Sequence, residues 1–392
     1  MKYCQVLGYG SAYFSTDVGH INCKSSKDAT AAPASTGHMV SFFYQLSAAQ
    51  FSQTPALAVL PEQFSLAIST DNSLLVASTV ELPLPVANSA ISVSSALPHK
   101  HVAVLRLFGA SVSWQVLAHL LALLPHNTTY ACRLYQPHPK LNAAVEIRLV
   151  NAVTATELGE LTALAGTSQC ELVYLDDTPS LRRPGLLLMD MDSTAIQIEC
   201  IDEIARLAGV GEQVSGITAR AMNGELDFTQ SLLARVATLK DTPQTVLKQV
   251  LDAVPLMPGL VDLVEHLQAH QWHVAIASGG FTYFTDALKS RLGLSATFAN
   301  VLQIKDGLLT GQVDGEIVDA NTKAAVVKKL SAEYGIEHSQ TVAIGDGAND
   351  IPMLQTAALG VAFHAKPRVQ AQARAAIRSG SLLQLLYLLD SE

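Results

Sequence analysis

Short apolar runs, each ending in polar residues, punctuate the second half of the chain. The runs are Leu186–Met189, Val274–Ala277, Val342–Ile344 and Leu359–Phe363. Apolar residues recur at helical spacing between them, and this alternation predicts a parallel sheet covered by helices on both faces. The predicted fold class is therefore α/β, built on a parallel sheet with helices on both faces.

Polar residues stand where three of these runs end. Asp190 and Ser278 follow their runs directly, and Asp346 comes one glycine after its own. Because ligands bind outside the carboxyl ends of parallel strands, these side chains are expected at one edge of one sheet.

A helical segment interrupts the pattern between the first two runs. Residues 195–257 predict a cap that covers the end of the first strand and excludes water from the substrate. Its predicted helices are Ile201–Leu207, Gln213–Met222, Thr229–Leu239 and Pro243–Leu251.

The first half of the chain has a different pattern. Residues 100–180 read as strand, helix, strand, strand, helix, strand, and Thr154 with Glu157 forms a capping signal for the second helix. This order resembles an ACT-type, ferredoxin-like α+β domain; a structural or dimerising domain without a ligand is the alternative. Residues 1–99 predict a weakly structured or accessory extension with strands near 57–60 and 74–80. The α/β domain is expected over residues 184–392.

Composition narrows the function classes. The 392 residues are 49% hydrophobic and 15% charged, with a net charge of -9, which argues against binding of nucleic acid. Five cysteines without a Cys-x-x-Cys pair argue against a disulfide framework or zinc site. With neither a signal peptide nor a membrane-spanning run recognised, a cytoplasmic protein is expected.

Asp190 and Asp192 form the first candidate catalytic pair. A carboxylate is ionised at neutral pH and can attack phosphorus without a base, whereas its neighbour can protonate a leaving alkoxide if its pKa is raised. A divalent cation such as Mg²⁺ would relieve their mutual repulsion. The same residues could also cap a helix, but a calcium loop is excluded because Ala195 and Ile201 occupy its required Gly and Glu positions.

Two further segments supply candidate phosphate ligands. Ser278 and Gly279 offer a hydroxyl and backbone N–H groups, and Lys323 offers an ammonium near the start of a helix. Taken alone, the first is an ordinary turn and the second an ordinary surface lysine.

The segment Gly345–Asp350 adds two carboxylates. Asp346 is a candidate metal ligand, and Asp350 is a candidate partner that orients the ligands and Lys323. The segment lacks the final glycine of a dinucleotide fingerprint, and the chain contains no ATP-binding P-loop motif.

Together these segments resemble the haloacid dehalogenase-like phosphohydrolases, and within them the phosphoserine phosphatase family. The similarity covers about residues 184–385 and includes Met189–Ala205, Gly224–Val236, Ala277–Phe281 and Gly345–Asp350. It implies Mg²⁺-dependent hydrolysis of phosphoserine to serine and phosphate, the last step of serine biosynthesis, through an aspartyl-phosphate.

The resemblance also implies roles for individual residues. Asp190 would be the nucleophile and Asp192 the proton donor, with Mg²⁺ held by the Asp190 side chain, the Asp192 carbonyl and Asp346. Phosphate would be bound by Ser278, Gly279, Lys323 and Asn349. Glu199 and Arg235 would bind the ammonium and carboxylate of the substrate.

Two rival functions stay open at this point. A related enzyme could hydrolyse another small phosphomonoester, and an inactive ligand sensor could signal through residues 100–176. The expected partner is a small-molecule substrate, without nucleic acid or membrane, and a homodimer through the N-terminal domain is an option.

Overall fold

A computed structural model describes residues 42–46, 64–68, 74–78, 102–112, 114–124, 130–149 and 151–390. Most of the predicted extension, including the strand expected at 57–60, lies outside these residues. The described contacts divide the chain into two compact units, Met1–Asp176 and Asp177–Glu392.

The first unit contains an antiparallel sheet with strand order β1-β3-β2-β5-β6-β4-β7 among the described residues. The described part of this unit also contains helices α1 and α2. The bounds are β1 Phe42–Leu46, β2 Phe64–Ile68, β3 Leu74–Ser78, β4 Ala103–Phe108, α1 Trp114–Leu123, β5 Tyr130–Tyr135, β6 Ala144–Leu149, α2 Ala155–Thr167 and β7 Glu171–Leu175.

Alternation along the strands separates two kinds of buried side chain in this unit. Leu105 and Leu107 of β4 pack with apolar residues of both helices. Arg106, between them, points to the opposite face of the sheet and contacts Glu146 at 2.9 Å. Arg148 contacts the same carboxylate at 2.7 Å. The capping box predicted at Thr154 is present at the start of α2.

The second unit is built on a mostly parallel sheet with strand order β11-β10-β9-β8-β12-β13-β14. Among the described strands of this second sheet, only β11 is antiparallel to its neighbour. The predicted α/β class is thus confirmed. The strands are β8 Leu186–Met189, β9 His273–Phe281, β10 Ala296–Lys305, β11 Leu308–Asp314, β12 Thr341–Gly345, β13 Leu359–Phe363 and β14 Ala375–Ile377.

Helices cover this sheet and fill the segment between β8 and β9. The strands β8, β12 and β13 are fully buried, as their continuous apolar sequences predict. The helices are α3 Cys200–Leu207, α4 Gly211–Met222, α5 Phe228–Thr238, α6 Thr245–Ala253, α7 Leu260–Ala269, α8 Thr282–Leu292, α9 Ala320–Tyr334, α10 Ile351–Thr356 and α11 Pro367–Gln370. None of the helices in the described part of the chain has the length and apolarity of a membrane span.

Helices α3 to α6 form the insertion that the sequence predicts, hereafter the cap, and each lies within two residues of its predicted bounds. The chain enters and leaves the cap along paired backbone: Gln197 N–H donates to Pro255 O at 3.0 Å, and Met257 N–H donates to Ala195 O at 2.9 Å. The two connections to the sheet therefore run side by side.

A hairpin of β10 and β11 provides a further connection to the cap. Asp241 N–H donates to Leu309 O, Leu309 N–H donates to Thr242 O, and Gln244 N–H donates to Gly307 O, each at 2.9 Å. The loop between α5 and α6 is thereby bound to the hairpin through backbone hydrogen bonds.

Candidate active site

The carboxyl ends of β8, β9 and β12 bring the predicted polar residues to one edge of the sheet. Asp190 follows β8 and its N–H donates to Ile344 O of β12 at 3.0 Å. Asp346 follows β12 directly. Ser278 lies inside β9, because this strand continues beyond the apolar run to Phe281.

A tight turn after Asp190 orients the next side chains. Met191 O accepts the N–H groups of Thr194, Ala195 and Ile196 at 3.2, 2.8 and 3.0 Å, and Ser193 takes a left-handed φ of 55°. The turn lets the Thr194 hydroxyl donate to Asp346 Oδ1 at 3.3 Å. The turn thus connects the segment that carries Asp190 and Asp192 to Asp346.

Lys323 lies beneath these carboxylates. It is only 1% exposed, and its Nζ lies 2.8 Å from Asp190 Oδ1 and 2.8 Å from Asp350 Oδ1. Met191 N–H also donates to Asp190 Oδ1 at 2.8 Å. Gly347 N–H donates to the second oxygen of Asp350 at 3.0 Å. Asp350 therefore orients the ammonium that contacts Asp190, and Asp190 is held in one orientation.

Burial and crowding alter the protonation of the carboxyl groups. Burial raises the pKa of Asp192 to about 7, with a further contribution from Glu199. Burial raises the pKa of Asp346 to about 7, and Asp350 and Glu199 add to this shift. Burial and Asp350 also raise the pKa of Asp190, against the effect of Lys323. Burial disfavours the Lys323 ammonium, but Asp190 and Asp350 outweigh burial and raise its pKa.

The excess of negative charge fits a divalent cation. Asp190, Asp346 and Asp350 each place an oxygen within 4.8 Å of the other two, yet Lys323 is the cation that contacts two of them. Oxygen ligands of this kind suit hard divalent ions. The residues present therefore fit a metal site, and a cation there would favour the ionised form of all three carboxylates.

An open cavity of about 340 Å³ lies between the sheet edge and the cap. The sheet edge and the cap both line it. Its walls are Asp190, Asp192, Glu199, Ile201, Met222, Phe228, Leu232, Arg235, Ser278, Gly279, Gly280, Phe281, Asp346, Gly347 and Asn349. Lys323 and Asp350 lie behind the wall.

Two glycines permit close approach in this cavity. A Cβ on Gly279 would lie 2.6 Å from the Phe228 ring, and one on Gly280 would lie 2.8 Å from Asp192 Oδ2. The cap therefore reaches the sheet edge at a point where no side chain stands between them. Gly280 N–H donates to Ser278 Oγ at 2.9 Å, which fixes that hydroxyl.

Glu199 and Arg235 stand at the cap side of the cavity. Glu199 precedes α3 and is exposed, and its carboxylate accepts from Ser193 Oγ at 2.8 Å. Arg235 is half-buried on α5, where its Nε donates to Ser231 O at 3.4 Å. A substrate held at Asp190 would thus have a carboxylate and a guanidinium available in the same cavity.

Some contacts at the site escaped sequence reasoning. The bonds from Ser193 to Glu199 and from Thr194 to Asp346 depend on the turn after Asp190. Cys200 N–H donates to Asp192 Oδ1 at 3.2 Å, a contact that needs the cap folded back on the strand end. Ser193 and Thr194 follow Asp192 directly, and that adjacency was the available signal.

The chain is similar to proteins of a known family. Residues 185–358 match the haloacid dehalogenase-like hydrolases. The phosphoserine phosphatase of Vibrio cholerae serotype O1 is 56% identical over 228 residues, which are 57% of this chain and 70% of the relative. This chain belongs to the phosphoserine phosphatase family. The residues matched by the family model, 185–358, lie within the unit that contains the cavity.

Solved structures in this family share the fold. A probable phosphoserine phosphatase from Vibrio cholerae, without ligand, has a TM-score of 0.64 and 43% identity, covering 74% of this chain and 86% of its own. A structure described as a phospho-aspartyl intermediate analogue of phosphoserine phosphatase has a TM-score of 0.51 and 41% identity, covering 53% of this chain and 100% of its own.

Proposed function

We propose that this chain hydrolyses O-phospho-L-serine to L-serine and phosphate with the help of Mg²⁺. The observation that carries the proposal is the arrangement of one cavity. A buried carboxylate fixed by Lys323 stands at its sheet side, and Glu199 and Arg235 stand at its cap side.

Asp190 acts as the nucleophile. Its carboxylate oxygen attacks phosphorus, the bond from phosphorus to the seryl oxygen breaks, and an aspartyl-phosphate forms. Lys323, 2.8 Å from Asp190 Oδ1, favours the ionised carboxylate and offsets the charge that the phosphoryl group brings.

Asp192 transfers the protons. With a pKa of about 7, a substantial fraction of this carboxyl is protonated near neutral pH, so it can donate to the departing seryl oxygen. In the second half-reaction the resulting carboxylate removes a proton from water that attacks the acyl phosphate. Phosphate leaves and Asp190 is regenerated.

The sheet edge binds the phosphoryl oxygens. Ser278, Gly279 and Asn349 line the cavity next to Asp190 and offer a hydroxyl, a backbone N–H and an amide. Lys323 adds the positive charge from below. These donors select a tetrahedral, highly charged group.

Glu199 and Arg235 select the amino acid. A carboxylate binds the substrate ammonium, and a planar guanidinium binds the α-carboxylate through paired hydrogen bonds. A phosphatase for simple phosphomonoesters has no need of this pair of opposite charges.

Asp190, the backbone carbonyl of Asp192 and Asp346 would hold the Mg²⁺ ion. When bound, it supplies positive charge that offsets the carboxylates and the phosphoryl oxygens. Asp350, whose oxygens accept from Lys323 and Gly347, serves to orient the site.

Residues 100–180 are proposed to form an ACT-like unit. The strand order β5-β6-β4-β7 and the packing of both helices against the same apolar face of the sheet support this proposal. Titration calorimetry with free serine tests whether the unit binds an amino acid.

The function is tested by phosphate release from phosphoserine and from a panel of other phosphorylated amino acids and sugars. Arg235→Lys should lower kcat/KM for phosphoserine by about 10- to 100-fold, because paired hydrogen bonding is lost. The same variant should change turnover of p-nitrophenyl phosphate by less than about threefold, because that substrate has no carboxylate.

Arg220→Lys is the matched control, because Arg220 pairs with Glu225 on the exposed surface of the cap. Equal losses with both substrates in Arg235→Lys would contradict the substrate assignment. Activity that survives EDTA would contradict the metal requirement.

A further inference from the structure

The strand β9 leaves its partner where the phosphate-binding residues occur. Ala277 pairs with Phe298 of β10, and the next pair joins Phe281 to Asn300. Four residue steps on β9 thus correspond to two on β10. Ser278, Gly279 and Gly280 therefore form a bulge, which turns their backbone groups away from the ladder.

The side chain of Asn300 provides hydrogen bonds where the backbone pairing of β9 with β10 is interrupted. It is 1% exposed, and its Nδ2 donates to Gly279 O at 2.8 Å. Its Oδ1 accepts from Val318 N–H at 2.9 Å. Because one partner is an acceptor and the other a donor, the orientation of the amide is fixed.

The second partner leads to the other phosphate-binding segment. Val318 precedes Asp319, the N-cap of α9, whose carboxylate accepts from Thr322 N–H at 2.8 Å. Lys323 lies in the first turn of that helix. Asn300 therefore connects the backbone of the Gly279 bulge to the start of the helix that carries Lys323.

We propose that Asn300 is a positioning residue for phosphate binding. Its amide holds the Gly279 bulge and the start of α9 at the separation at which Ser278, Gly279 and Lys323 bind the same phosphoryl group. This inference rests on the proposed function for its substrate, but it concerns the binding of any phosphate at this edge of the sheet.

Asn300→Asp tests the proposal in the full chain. The carboxylate can still accept from Val318 N–H, but it faces Gly279 O without a donor, so the bulge is expected to shift. The chain offers a matched control in Gln340, which is also 1% exposed. Gln340 likewise bridges a backbone N–H and a carbonyl, both of Ser180 at 2.8 Å, and it lies at the opposite end of β12.

Three quantities are compared for Asn300→Asp and Gln340→Glu: kcat/KM for phosphoserine, the Kd of orthophosphate by titration calorimetry in Mg²⁺, and the thermal midpoint. Asn300→Asp should lower kcat/KM by about 30- to 100-fold and raise the Kd of orthophosphate by about tenfold. A displacement of the phosphate-binding bulge by about 1 Å is sufficient for effects of this size. Gln340→Glu should lower the thermal midpoint while both ligand constants stay within about twofold of wild type.

The proposal is overturned if folded Asn300→Asp keeps both kcat/KM and the Kd of orthophosphate within about threefold of wild type. It is also overturned if Gln340→Glu, corrected for its folded fraction, shows an equal loss of kcat/KM and of orthophosphate affinity. Should Asn300→Asp not fold, Asn300→Ser replaces it, because a neutral hydroxyl cannot span both partners. Wild-type affinity for orthophosphate in that variant would equally overturn the proposal. If wild type fails to hydrolyse phosphoserine while Asn300→Asp still weakens orthophosphate, the proposed function fails and the role of Asn300 stands.

Discussion

Each unit contains a cluster of buried charge, and the two clusters are composed differently. In the first unit the Glu146 carboxylate contacts two guanidinium groups, those of Arg106 and Arg148. In the second unit the Lys323 ammonium contacts Asp190 and Asp350, with Asp346 close by. Among the described contacts, two guanidinium groups share one carboxylate in the first cluster, whereas one ammonium contacts two carboxylates in the second.

The difference separates a structural cluster from a functional one. A buried carboxylate that is matched by guanidinium groups needs nothing further to remain ionised. Three crowded carboxylates around one ammonium leave negative charge that a further cation would offset, and burial together with Asp350 raises the pKa of Asp346 to about 7. A buried cluster with more carboxylates than cations is therefore the stronger indication of a bound cation.

The largest effect is expected from Asp190→Asn, which removes the nucleophile. Phosphate release should fall by at least about 10³-fold, because an amide oxygen cannot form the acyl phosphate. The metal-free variant should be no less stable than wild type, because the substitution removes one of the crowded carboxylates. Phosphate release and thermal unfolding in EDTA check both statements.

Glu146→Gln is the counterpart in the first unit. It removes the charge that two guanidinium groups contact, so it should lower the free energy of unfolding by about 3–5 kcal/mol. A destabilised Asp190→Asn or an unchanged Glu146→Gln, measured by denaturant unfolding, would break the comparison between the clusters.

Lys323→Met removes the cation of the functional cluster. Turnover should drop about 10²- to 10³-fold, because developing charge at the phosphoryl group loses its ammonium. Stability should fall by about 3–5 kcal/mol, because the carboxylates are left without their partner. Lys328→Met, on the exposed side of the same helix, is the control, and an equal loss in that variant would contradict the assignment.

The smallest effect concerns pH. Asp192 and Asp346 have pKa values of about 7 in the folded protein, against about 3.9 for an unperturbed Asp. A raised pKa stabilises the fold below the unfolded value, and this contribution is lost as pH rises through the folded value. In EDTA, the free energy of unfolding of the protein should therefore decline between about pH 4 and pH 7, by about 1–3 kcal/mol for each of the two groups.

Asp346→Asn sharpens this test. It removes one of the two titrating groups, so denaturant unfolding in EDTA at several pH values should show a shallower decline than in wild type. A slope equal to that of wild type would mean that Asp346 is already ionised in the folded protein.

The sequence was sufficient for features that depend on local pattern. Fully apolar runs predicted β8, β12 and β13, and helical spacing predicted the four cap helices within two residues of their bounds. Strand ends also indicated that Asp190 and Asp346 would lie together, because parallel strands place their carboxyl ends at one edge.

Contacts that depend on tertiary structure were not predictable. Asn300 gives no sequence signal, because its role arises from a bulge in the neighbouring strand. The hairpin of β10 and β11 was also missed, although Asp306 and Gly307 both have positive φ in its turn. An Asp-Gly pair is a recognisable signal for such a turn, but exposed residues along both strands obscure their alternation.

The hairpin also limits how the cap can move. The two chain connections at residues 195–197 and 255–257 lie side by side. With these connections alone, the cap would rotate as a rigid body about a single axis. Backbone hydrogen bonds between Thr242 or its neighbours and the hairpin restrain the cap at a further point. Binding of phosphoserine and release of serine then require either bending between the cap helices or breaking of these hydrogen bonds.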